Sequence, residues 1–275
     1  MTTLIRLADP ADGAALAAIY RPAVMDSAIS FELEPPNADE MRRRVTQIMP
    51  RTPWLVCERD GAVVGYAYAS RHRERPAYQW SVDVSAYVSR DAHRLGVGRA
   101  LYTSLFAILI VQGFRNAYAG ITLPNAASVG LHTSMGFTPV GVYRHVGYKH
   151  GAWHDVAWFE RPLAAHTANP EPPLALSDCI GDAGFEAAIR SGLPHVRPEG
   201  LPHGLPLGGV GATKGLPHGL PLGLTAAAAA TARIAPRDRS CSRAERPRPC
   251  HSAWAATARS GSDSSRARCA RGAMP

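Results

Sequence analysis

His93-Arg94-Leu95-Gly96-Val97-Gly98-Arg99-Ala100 decides how this chain reads, because it stands between an extended segment and an apolar helical one. Two glycines two apart let the backbone come close to a ligand. Several amide N–H groups can then point into one space at a helix N-terminus, whose dipole favours negative charge. Such a loop suits a pyrophosphate, and Arg94 and Arg99 can add charge-assisted bonds. A dinucleotide-binding glycine loop would instead need three glycines as Gly-x-Gly-x-x-Gly after the first strand, and an acid about 20 residues on. Here position 101 is Leu and the loop follows a late strand.

Outward from the loop, residues 78–88 read as a long strand and 96–112 as a helix with Leu101, Leu105, Ile108 and Leu109 inward. That helix is nearly apolar all round, so it belongs against the sheet. Upstream, 3–7 is a strand and Asp9-Pro10 opens a helix that Arg21-Pro22 ends. Asn37 with Glu40 is a capping-box pattern before a helix bearing Met41, Val45, Ile48 and Met49. Segments 54–59 and 62–70 form a hairpin through Asp60-Gly61. Downstream come a strand at 116–122, a short helix ending at Gly136, and strands at 137–143 and 154–161. The alternation predicts an α/β (α+β) domain with a mixed sheet.

The 275 residues do not read as one body. Residues 1–165 make a domain with its own core. Residues 166–275 are a Pro/Gly/Ala/Arg-rich, low-complexity tail expected to be disordered. Within it, 200–208 and 215–223 are the same nine residues, Gly-Leu-Pro-His-Gly-Leu-Pro-Leu-Gly. Two prolines per nine residues exclude helix and central strand. Up to Pro162 there are 17 Lys and Arg against 14 Asp and Glu, so much of the net charge of +8 falls in the tail. A mildly basic domain suits an anionic small ligand. No groove-reading motif accompanies the tail charge, which argues against nucleic acid. The five cysteines have neither zinc nor redox spacing. With no apolar leader and no span long enough for a bilayer, the expectation is a cytoplasmic protein. His150, Trp153, His154 and Asp155 offer one His-x-x-x-His spacing and no third ligand, so no metal is expected.

At this point the chain resembles the GNAT superfamily of acyltransferases. The carrying residues are the glycine loop, with His93 where the family has Gln or Arg, and Asn125 followed by His132 and Gly136-Phe137. It is similar in particular to the phosphinothricin and methionine sulfoximine N-acetyltransferase branch. The matching segments are Phe31-Glu32-x-Glu34-Pro35, Arg73-x-Arg75-Pro76-Ala77-Tyr78, Ala86-Tyr87-Val88-Ser89, Leu123-Pro124-Asn125 and Tyr148-Lys149-His150-Gly151-x-Trp153-His154-Asp155-Val156. The likeness spans residues 3–161. It implies a mostly antiparallel sheet of seven strands flanked by four helices, acetyl-CoA as acetyl donor, a small amino-acid-like acceptor and a homodimer.

The resemblance also assigns roles. Arg94, Leu95, Gly96, Val97, Gly98 and Arg99, with Asn125, would hold the cofactor's phosphates, and the backbone of Ala86, Tyr87 and Val88 its pantetheine arm. Asp83 stands where relatives place a Glu base, one methylene shorter. His132 stands where many carry a Tyr that protonates the departing thiolate. Arg73 and Arg75 would grip the substrate's acidic group, and Phe31 and Glu32 would close its amino-acid end. Each has a plainer reading: a structural acid, a packed imidazole, a solvated charge cluster, ordinary strand residues. Two other functions stand beside this one: a non-catalytic acyl-CoA-binding domain, and a transferase acting on another amine such as a protein N-terminus.

Overall fold

A computed structural model describes residues 2–198. The repeated nonapeptides and the rest of 199–275 lie outside the described residues. Seven strands form one sheet: β1 (Thr3–Leu7), β2 (Trp54–Arg59), β3 (Ala62–Arg71), β4 (Ser81–Val88), β5 (Asn116–Thr122), β6 (Thr138–Lys149) and β7 (Ala152–Pro162). Their order is β1-β2-β3-β4-β5-β7-β6. Every pairing is antiparallel except β4 with β5. The helices are α1 (Gly13–Met25), α2 (Ala38–Ile48), α3 (Val97–Gln112), α4 (Ala126–Ser134) and α5 (Ala183–Arg190).

Two cores cover the two faces of the sheet. On one face Leu16, Tyr20 and Val24 of α1 and Met41 and Val45 of α2 meet Trp54, Val56 and Tyr66. On the other, Leu101, Leu105, Ile108 and Leu109 of α3 meet Leu55, Ala67, Val82 and Ala117. The Asn37 cap forms as expected, its side chain accepting from the Glu40 amide at 2.9 Å. Asp60 and Gly61 take the positive φ values (47° and 82°) of the tight hairpin. Cys57 lies on an interior strand, paired on both sides by β1 and β3, and is fully buried.

Three expectations need correction. Pro22 does not end the first helix; α1 runs through it to Met25. The proline removes one hydrogen bond, but Tyr20 and Val24 on either side of it are buried and hold the turn on the core. The last hairpin is longer at its tip than 137–143 and 154–161: β6 reaches Lys149 and β7 starts at Ala152. Its added residues, Val146, Tyr148 and Trp153, are exposed, so no burial pattern marked them.

The third concerns residues 166–198, which fold onto the domain. The Trp80 indole donates to Glu171 O, and the Leu174 amide donates to Gln112 O. Leu176, Cys179, Phe185 and Ala188 are buried in the core that α3 shares with the sheet. An apolar helix against a sheet still has an outer face to cover. Here α5 and its approach cover it, so the folded body has five helices rather than four.

Candidate active site

The parallel pairing of β4 with β5 lasts only three residue pairs, Ser81 with Asn116, Val82 with Ala117 and Asp83 with Tyr118. Beyond Asp83 the two strands separate. Val84 to Tyr87 on one side and Ala119 to Thr122 on the other line a gap closed below by Ser128 and His132. The gap continues into a cleft of about 1480 Å³. Ala86, Tyr87, Val88, Arg94, Gly96, Val97, Gly98, Arg99 and Asn125 all border it. Of the cofactor residues expected from the sequence, only Leu95 is turned away, packing on the core.

The loop is built for close approach. Arg94 and Gly96 have positive φ (64° and 82°), which bends the chain before α3 begins at Val97. The first amides of α3 have no intrahelical acceptor and face the cleft end. Neither Arg94 nor Arg99 makes an ion pair among the described residues. A Cβ on Gly98 would come within 3.2 Å of Leu131 Cδ2, so a larger residue would narrow the mouth. Asn125 serves the structure as well, capping α4 by accepting from the Ser128 amide at 3.1 Å.

Asp83 sits where β4 and β5 part. Its Oδ1 accepts from His72 Nδ1 at 2.7 Å, with 30 % of its side chain exposed. Burial pushes its carboxyl pKa up, against the opposing pull of His72. The His72 ring stacks on Tyr118 at 4.4 Å, with Tyr78 and Trp158 edge-on. His72 escapes a sequence reading because it lies in the charged link after β3. Register explains it: Ser70 faces Asp83 across β3–β4, and His72 is two residues on, on the same side.

The two arginines lie beyond the strand that was to align them. β3 ends at Arg71, so no strand alternation holds Arg73 and Arg75 on one face. The Arg73 guanidinium lies 5.8 Å from the Trp158 ring, near His72, and donates to His72 O at 2.8 Å. Arg75 only precedes the short turn 76–78, and its side chain meets no described partner.

Glu32 is committed to Arg44, which grips it at 2.8 and 3.0 Å, and to the Tyr20 hydroxyl at 3.0 Å. Arg44 holds its carboxyl below the ordinary carboxylate range. Phe31 lies on the far hairpin: a Cβ on Gly147 would overlap its ring. The same loop is anchored by Lys149, only 4 % exposed, whose Nζ donates to Val24 O (2.6 Å) and Ser30 O (2.7 Å).

His132 is also engaged. Its Nδ1 lies 2.8 Å from Ser128 O, which can only accept, so Nδ1 carries the proton. Nε2 then accepts from the Tyr102 hydroxyl at 3.0 Å. Burial lowers its pKa, so it is neutral at pH 7. Neither nitrogen has a free proton for the cleft. Among the described residues no three His, Cys, Asp or Glu side chains gather as metal ligands, and no helix is long and apolar enough to cross a membrane.

Known proteins are similar to this chain in sequence and fold. The family description "Acetyltransferase (GNAT) domain" matches residues 5–158. A phosphinothricin N-acetyltransferase of Streptomyces viridochromogenes is 41% identical over 169 residues, 62% of this chain and 90% of that protein. An L-methionine sulfoximine/L-methionine sulfone acetyltransferase of Salmonella typhimurium is 34% identical over 166 residues, 60% of this chain and 96% of that one. The crystal structure of a GNAT superfamily phosphinothricin acetyltransferase from Sinorhizobium meliloti in complex with AcCoA superposes with a TM-score of 0.59 at 38% identity, covering 62% of this chain and 94% of that one. On the family match over more than half its length, with the splayed strands and glycine loop that this fold carries, the chain belongs to the GNAT family of acetyltransferases.

Proposed function

We propose that this chain moves the acetyl group of acetyl-CoA to the amino group of a small amino-acid-like acceptor, in one direct step. The observation that carries the reading is the parting of β4 from β5: Asp83, a half-buried carboxylate, is the last paired residue, and the gap that starts at the next one, Val84, leads to the cleft of the glycine loop. Acetyl-CoA supplies the thioester carbonyl that the amine attacks. The amides at the start of α3, with Arg94 and Arg99, hold its phosphates. The freed edge of β4 offers backbone N–H and C=O groups to the arm, as a sheet edge does to an added strand.

An amino group is mostly ammonium at neutral pH and attacks only after losing a proton. Asp83 receives it, and His72 positions the carboxylate through its Nδ1–H. Arg73, beside Trp158, is the cation for the acceptor's acidic group; Arg75 plays no part. Phe31 closes the acceptor's other end, while Glu32 holds that loop through Arg44. Cys57 takes no acyl group, since burial pushes its thiol up to about 11 and no solvent reaches it. The names of the relatives support phosphinothricin, methionine sulfoximine and methionine sulfone as acceptors. Thiol release from acetyl-CoA by the full chain, dependent on one of these amines, tests the reading. Coenzyme binding without release on any of them would favour the non-catalytic alternative.

His132 we assign to support: it fixes Ser128 and the start of α4 against Tyr102. His132→Asn therefore lowers kcat less than about tenfold and leaves the basic limb of the pH–rate profile in place. A larger loss together with loss of that limb would return the thiolate proton to His132.

We also propose a homodimer through β6. This edge strand exposes Val140, Val142, Tyr143 and Val146 and has one unpaired side among the described residues. Light scattering should give twice the chain mass for the wild type and the single-chain mass for Val142→Lys.

A further inference from the structure

We propose that residues 191–197 are a working part of the cofactor cleft: a strap that braces the glycine loop from behind and brings Arg197 to the phosphates of coenzyme A. The inference rests on the acetyl-CoA reading above and adds to it a segment beyond the family match, which ends at residue 158.

The strap is fastened at both ends. Where it leaves α5, the buried Ser104 hydroxyl of α3 donates to Ile189 O at 2.8 Å and accepts from the Gly192 amide at 3.1 Å. Gly192 lies so close to α3 that a Cβ would overlap Ala100 O. Leu193 and Val196 then pack on the core. At the far end the Arg197 amide donates to Leu95 O at 2.8 Å, and a Cβ on Gly96 would overlap His195 O. Gly96 thus has two reasons to be glycine, its φ of 82° and its contact with the strap.

The direction of these bonds matters. The strap takes the Leu95 carbonyl, and in that trans peptide the Gly96 N–H points the opposite way, away from the strap's amide. Pro194, His195 and Arg197 line that cleft together with Arg94, Gly98 and Arg99. None of the three arginines has an acidic partner among the described residues. Three unpaired guanidiniums around one opening form a cationic rim. Coenzyme A brings both a pyrophosphate and a ribose phosphate to such a rim, and guanidinium binds phosphate with charge-assisted bonds.

The test uses the full chain and calorimetric titration with CoA and with 3′-dephospho-CoA, which reads the strap even if none of the amines is turned over. Arg197→Met, an exposed change, should weaken CoA about fivefold to tenfold, less at high salt, with Arg197→Lys recovering most of it. If dephospho-CoA loses less than CoA, Arg197 meets the ribose phosphate; equal losses place it at the pyrophosphate. Either outcome supports the proposal. Gly192→Ala, which lifts the strap off α3, should weaken both ligands as much or more. In turnover the loss should appear in KM for acetyl-CoA and not in KM for the amine. CoA affinity within about twofold of wild type in both Arg197→Met and Gly192→Ala, or tighter binding in either, overturns it.

Discussion

Asp83→Asn lowers kcat/KM at neutral pH by about a hundredfold to ten-thousandfold, the range that a positioned general base contributes. The amide keeps an acceptor oxygen for His72 Nδ1–H, so the local packing survives while proton uptake is lost. Coenzyme affinity, set at the far end of the cleft, moves by less than about twofold in direct titration. The pH profile carries the same signature. Burial raises the Asp83 pKa, so the carboxylate protonates at a higher pH than an ordinary Asp as the solution is acidified. Protonation removes the base, so wild-type activity falls on the acid side below that raised pKa. In Asp83→Asn that limb disappears from what activity remains. Equal losses of turnover and coenzyme binding would show that Asp83 holds the fold and does not serve as the base.

Phe185→Ala destabilises the protein by about 3–5 kcal/mol, the usual cost of emptying a buried aromatic site. Phe185 is 2 % exposed and packs in the same core as Leu105, Ile108 and Leu109, although it lies well past the end of the sheet. Urea denaturation followed by circular dichroism would show the midpoint falling in one cooperative transition. Removing everything after residue 165 should be worse: it strips Leu176, Phe185 and Ala188 from α3 and leaves an apolar face in water. A shortened chain as stable as the full one would mean that α5 merely rests on the domain.

Much of the fold is legible in the sequence because local chemistry and pattern agree there. Asp60-Gly61, the Asn37 cap and the Gly96–Gly98 loop each place an element boundary within a residue or two. The phosphate end of the proposed cofactor site is legible from the same loop, since Arg94 to Arg99 are contiguous. The acceptor side is less legible because it is assembled across strands. The His72–Asp83 pair depends on β3–β4 register. Arg73 and Arg75 look alike as letters, but only Arg73 meets a described neighbour, the Trp158 ring and His72 O. The extension 166–198 hides behind its Pro and Gly content, and α5, at only eight residues, gives a weak periodic signal. The clue lies in α3 instead: a helix apolar on every side needs two covers, and the sheet is only one.

The strap and α5 also set an order on the birth of the protein. Chains emerge from the ribosome N-terminus first, at about 5–20 residues per second. All seven strands of the described residues are out once Pro162 has cleared the exit, yet α3 then still shows its greasy back to water. Only when Arg197 follows can the glycine loop be locked from behind. A nascent chain stalled between those two points holds a finished sheet and an unfinished binding site, which makes it a natural client for chaperones.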